Sequence, residues 1–176
     1  MAPAIERSGG FLLADLAGIC KSIQDSDIGT SIRESTYTFP IIETAHVICL
    51  AISVGLILIT DLRLTGTILK KRRFTELWAQ LKPIFTVGFV IMFVTGIILF
   101  LSQAYKAYES VFFRTKILLL ILAAANALAF EYTSRPSVAQ WDTAALPPPR
   151  ARFAGWASII LWAAIIAAGR TMAYTF

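Results

Sequence analysis

Two side chains capable of chemistry stand three residues apart in a stretch that otherwise belongs in lipid. In FPIIETAHVICLAISVGLILITDLRL, residues 39–64, Glu43 and His46 fall in the first two turns of an apolar run, and His46 is the chain's only histidine. A carboxylate and an imidazole one helical turn apart can share a proton, hold a cation or brace a cofactor. Inside a membrane such groups are costly and call for a partner or a purpose. The E-x-x-H spacing is that of carboxylate-bridged di-iron bundles, which need a second such motif and further glutamates from other helices. One motif and one histidine do not make that centre, or any multi-histidine metal site, within a single chain.

The elements that must position this pair are legible from composition. The chain has 176 residues, 57% hydrophobic and 15% charged, with mean hydropathy +0.69. That is too apolar for an ordinary soluble domain. Four apolar runs are long enough for a hydrocarbon core of roughly 30 Å: about residues 40–61, 84–104, 112–130 and 153–174. Helices satisfy their own backbone in lipid, and no alternating strand pattern competes. Cys20 and Cys49 form no disulfide or zinc motif, and no Gly-rich phosphate loop, nucleophile elbow or C-x-x-C is present. The expected fold is an all-α polytopic membrane protein, an antiparallel bundle of four transmembrane helices.

The segments outside the spans add detail. Residues 1–39 lack the plan of a signal peptide. Leu12, Leu16, Ile19 and Ile23 instead recur at helical spacing opposite Asp15, Lys21 and Asp25, the pattern of an amphipathic helix lying in the interface. Pro83 marks the expected start of the second span, and LKKRRFTELWAQLKP before it reads as a second interfacial helix, its basic run beside lipid headgroups rather than nucleic acid. Residues 61–83 carry Arg63, Lys70, Lys71, Arg72, Arg73 and Lys82 against Asp61 and Glu76. The loop after the third span adds Arg135, Arg150 and Arg152. The positive-inside rule then puts both loops in the cytoplasm and both termini on the periplasmic side.

With that topology, five groups from four helices reach one depth near the outer face: Glu43 and His46, about 5–9 Å into the first span at 1.5 Å per residue, then Gln103, Lys116 and Arg170. Helical phase groups them with small and polar residues. Glu43, His46, Ser53 and Thr60 share one face; Gly88, Thr95 and Ser102 another; Lys116, Ala123 and Asn126 a third. Such stripes face neighbouring helices in lipid. The layer can act as a structural lock, with Glu43 paired to Arg170 or Lys116, or as a site for a small anionic ligand. A b-type haem is the specific cofactor version, with His46 as axial metal ligand and Lys116 and Arg170 on the propionates. Proton relay or transport is a further alternative.

The segments SIRESTYTFPIIETAHVICLAISVGLILITDLRLTG, TGIILFLSQAYKAYESVFFRTKILLLILAAANALAFE and AAGRTMAY resemble a family of small bacterial integral-membrane proteins with no assigned function. The resemblance runs from about Ile32 to Tyr174. It implies a four-span protein of the bacterial inner (cytoplasmic) membrane and carries no activity with it. With almost no mass outside the membrane and no nucleophile–base pair, the expectation is a non-catalytic anchor or accessory subunit. Its partners are the lipid bilayer and a protein partner or a second copy of the chain, not nucleic acid.

Overall fold

A computed structural model describes residues 15–175, all helix and loop with no strand among them. Leu12 of the amphipathic pattern lies outside the described residues. The helices are α1 (residues 15–24), α2 (Asp27–Glu34), α3 (Thr38–Leu64), α4 (Phe74–Ser102), α5 (Ala104–Glu109), α6 (Val111–Thr133), α7 (Val138–Trp141) and α8 (Pro149–Thr175). Four of these, α3, α4, α6 and α8, are long and apolar enough to cross a membrane. The bundle is all-α and polytopic, as composition predicts.

Local chemistry sets several helix boundaries. Ser35 Oγ accepts from Thr38 N–H at 3.0 Å at the start of α3, and Ser110 Oγ accepts from Phe113 N–H at 3.3 Å at the start of α6, each satisfying a donor the first turn leaves open. Gly66 ends α3 at φ 75°, the left-handed conformation glycine adopts without a Cβ penalty. Pro83 does not start a helix. It lies inside α4, which already begins at Phe74, so the segment expected as a separate interfacial helix is continuous with the second apolar helix. A proline removes one ladder hydrogen bond, which a membrane helix tolerates where local adjustments and neighbours re-satisfy the freed group.

Packing runs in a row, α4 on α3, α3 on α8, α8 on α6, each neighbour antiparallel. Glycines set the close approaches. A Cβ on Gly88 of α4 would come within 2.8 Å of Ser53 Oγ on α3, and one on Gly155 of α8 within 3.0 Å of Asp61 O and 3.1 Å of Leu64 Cβ. The outer members of the row, α4 and α6, meet through aromatic rings near both ends. Phe100 stacks on Phe113 at 5.5 Å, and Phe74 meets Phe130 edge-on at 5.7 Å.

One end of the bundle holds a small conventional core. Leu64, Phe74, Trp141 and Ala151 are buried together, with Trp78, Phe130, Val138 and Ala144 against them. Beside that core lies Arg63, with 0% of its surface exposed. Its Nε donates to Arg72 O at 2.7 Å, and its Nη2 donates to Asp142 O at 3.1 Å and to Ala144 O at 3.0 Å. Asp142 in turn caps α4 from 67 residues away in sequence. Its Oδ1 accepts from Thr75 N–H at 2.9 Å, and its Oδ2 from Thr75 Oγ1 at 2.6 Å. Burial pushes the Asp142 carboxyl up, but the two Thr75 hydrogen bonds and the Arg73 charge together hold it below the usual carboxylate value.

Two predictions follow from this packing. Gly155→Leu should lower the unfolding midpoint in detergent, costing about 1–3 kcal/mol by overpacking the α3–α8 contact. Gly55→Ala, where a Cβ meets nothing within 4 Å, should leave it unchanged or raise it. Because the folded Asp142 carboxyl lies below its unfolded value, its cap contributes stability above about pH 4 that is lost as pH falls through the lower folded value. Asp142→Asn should therefore narrow its deficit against wild type on acidification, read from melts between pH 7 and pH 2.5.

Candidate functional site

Glu43 and His46 enter at the opposite end, on the second and third turns of α3. His46 turns inward against α4. Its Nδ1 lies 2.9 Å from Met92 O and 3.1 Å from Thr95 Oγ1. A carbonyl only accepts, so Nδ1 carries the proton in this contact, and in the neutral form of the ring the lone pair is at Nε2. The ring sits in a notch made by Gly96, where a Cβ would approach His46 Cε1 to 3.1 Å. Thr95 anchors the notch, its hydroxyl bonded to Ile91 O at 2.7 Å. The α4 stripe at Gly88, Thr95 and Ser102 thus faces α3 and the N-terminal helices.

Lys116 occupies a matching position on the other helical pair. It is half-buried and lies along α8 at Gly169, where a Cβ would stand 3.6 Å from its Nζ. Its charge and, more weakly, that of Glu43 act on His46. Glu43 is exposed and forms no ion pair among the described residues, where the only two are Arg73–Glu76 and Arg135–Glu131. Lys116 likewise has no acidic partner among them.

The remaining two expected members are placed differently. Gln103 stands at the break between α4 and α5 (φ −137°, ψ 33°), its N–H donating to Phe100 O. Arg170 is exposed and turns along its own helix, Nη2 donating to Tyr174 OH at 2.9 Å with the guanidinium 4.9 Å from the Tyr174 ring centroid. The structure therefore brings His46 and Lys116 into one layer, with Glu43 at its edge, and directs Arg170 away.

The end of the bundle that holds this layer is closed by α1 and α2. Arg33 Nη1 donates to Gln24 O at 3.0 Å and reaches Ser102 O at 3.5 Å, placing a cation at the carboxyl end of α4, where the helix dipole favours it. Gln24 Oε1 accepts from Tyr105 N–H at 3.1 Å. A Cβ on Gly29 would come within 3.0 Å of Leu101 O. Leu16 and Ile19 of α1 are half-exposed, leaving the apolar face expected of an interfacial helix open.

Sequence reasoning missed the two glycine contacts and the second polar group at the other end, buried Asp61 and Arg63 with half-exposed Asp142. Asp61 is 6% exposed, its carboxylate beside Ser158 of α8, and its Oδ2 has no partner among the described residues. The one available signal was TDLRL, two charges closing an apolar run without an adjacent turn residue.

The chain belongs to DUF6644, a family of unknown function, whose sequence profile matches residues 28–175. No curated protein and no solved structure matches it.

Removing the imidazole tests the notch directly. His46→Leu should lower stability by about 1 kcal/mol, the worth of one hydrogen bond. Gly96→Leu should cost more by expelling the ring, and Arg170→Gln should leave the melting midpoint within error of wild type.

Proposed function

We propose that this chain is a non-catalytic integral-membrane subunit of the bacterial inner membrane in which His46 and Lys116, with Glu43 at the rim, bind one small anionic group. The observation that carries this reading is an ammonium without a counter-charge. Lys116 is half-buried within a membrane-spanning helix, and no acidic group pairs with it among the described residues. Charges at such depth are costly until paired, so an anion that enters gains the full interaction. His46 supplies orientation. Its Nδ1–H is spent on Met92 O, so Nε2 can accept a proton from a hydroxyl or a protonated acid on the same ligand.

The chain's single histidine makes the test specific. The ring nitrogens of His46 give one set of resonances, followed in detergent while phosphate, sulfate and short carboxylates are titrated in. Saturable shifts that vanish in Lys116→Met, and persist in Arg170→Gln, support the site. Shifts of equal size in Lys116→Met would end the proposal and leave the layer a structural lock.

A second reading rests on the same ring. A histidine whose Nδ1–H is held by a backbone carbonyl is in the form that ligates metals through Nε2, and Lys116 can hold a carboxylate of the same cofactor. A b-type haem on His46 is expected to give a Soret band that shifts on dithionite reduction and disappears in His46→Ala. A flat spectrum from protein expressed with haem supplied removes this reading.

The proposed orientation, with both termini periplasmic, follows from the basic loops. In a background lacking Cys20 and Cys49, a membrane-impermeant thiol reagent applied to intact cells should label Ile28→Cys and spare Gln140→Cys.

A further inference from the structure

At the end of the bundle remote from His46, the last turns of α6 and the first turns of α8 diverge around a groove of about 390 Å³. Its walls are Ala129, Phe130 and Thr133 on one side and Pro149, Phe153 and Ala154 on the other, with Arg150 at the mouth. Asn126 closes the inner limit and staples the two helices, its Nδ2 donating to Ala154 O at 3.0 Å. The groove is therefore apolar within and cationic at its rim.

Its level in the membrane is marked by aromatic residues. Tyr132, Phe153 and Trp156 are 77%, 73% and 47% exposed around it, the belt that amphipathic rings form at the boundary between headgroups and acyl chains. Arg150 makes no hydrogen bond or ion pair among the described residues, whereas Arg135 nearby is committed to Glu131. A guanidinium without a protein partner, above an apolar slot at headgroup depth, matches one class of molecule in charge and in shape.

We propose that this groove binds an anionic phospholipid, with an acyl chain between Phe130 and Phe153 and the headgroup phosphate on Arg150. Guanidinium pairs well with phosphate oxygens through parallel N–H donors, and basic pockets between membrane helices recognise anionic headgroups in this way. The site lies at the opposite end from the His46–Lys116 layer and does not depend on it.

The test uses the full chain in nanodiscs of equal phosphatidylglycerol and phosphatidylcholine, with retained lipids counted by native mass spectrometry. Wild type should retain the anionic lipid at least threefold over the zwitterionic one. Arg150→Gln should bring that ratio close to one, Arg150→Lys should keep part of it, and Ala129→Trp, which fills the slot, should lose retained lipid of both kinds. Lys71→Gln, in the basic loop, should leave the ratio at the wild-type value. A wild-type ratio of one, an unchanged ratio in Arg150→Gln, or an equal fall in Lys71→Gln would overturn the assignment. The last would show attraction by overall charge in place of a site.

Discussion

The buried guanidinium of Arg63 is the constraint on which the arrangement of the bundle rests. It has no exposed surface and takes up three carbonyls, one from the α3–α4 loop and two from the loop before α8. Burying a charge costs several kcal/mol, and charge-assisted hydrogen bonds return about 1.5–3 kcal/mol each. Its net contribution to stability is therefore modest, and its value is positional. A planar fork with fixed donor directions accepts only one placement of the two loops, which a lysine's single ammonium would not impose. Asp142 transmits that placement, since its carbonyl receives Arg63 while its carboxylate caps α4 through Thr75. The start of α4 and the approach to α8 are thus both set from α3, and with them the register that brings Met92 opposite His46.

The two ends of the molecule are built on different physics. The Arg63 end has an aromatic core of the kind found in soluble domains, with Phe74 against both Phe130 and Trp141. The His46 end depends on close backbone approach and on a cap of short helices, α1 and α2, held by Arg33 and Gln24. Its charged groups, Glu43 and Lys116, are incompletely matched by protein. Neither end is fully matched: at the Arg63 end Asp61 Oδ2 and Arg63 Nη1 are buried without a hydrogen-bond partner among the described residues, and at the His46 end it is whole charges, Glu43 and Lys116, that form no ion pair there.

Much of this was legible in the sequence because lipid imposes simple rules. The four runs had to be helices, and the stripes through Ser53 and Thr60, Gly88 and Thr95, and Ala123 and Asn126 had to face neighbours, as they do. The helix runs on through Pro83, the expected boundary, because a proline removes only one ladder hydrogen bond and neighbours or local adjustments can re-satisfy the freed group. The Arg63 network was invisible for another reason. Its acceptors are backbone carbonyls, which every residue has, so no pattern of residue types announces them. Arg170 illustrates a local competitor. Tyr174, one turn on, offers both an acceptor oxygen and a ring face, and depth alone gave no warning of it.

The layer at the His46 end has a construction that depth and phase could not reveal but that explains why these two residues lie in it. The bundle consists of two antiparallel helical pairs, α3 with α4 and α6 with α8, joined by the α3–α8 contact. In each pair the first helix carries, among the polar groups of its opening turns, one side chain that lies over its partner helix, His46 or Lys116. The second helix answers with a glycine in its closing turns, Gly96 or Gly169, over which that side chain lies. A Cβ on Gly96 would crowd the imidazole at 3.1 Å, so that notch and its group are a unit, whereas one on Gly169 would meet Lys116 at 3.6 Å, an ordinary contact. The two contacts, one in each pair, place an imidazole nitrogen and an ammonium at a common level. The polar layer follows from how the pairs are built, and the charge it leaves unmatched is the feature on which the proposed anion site rests.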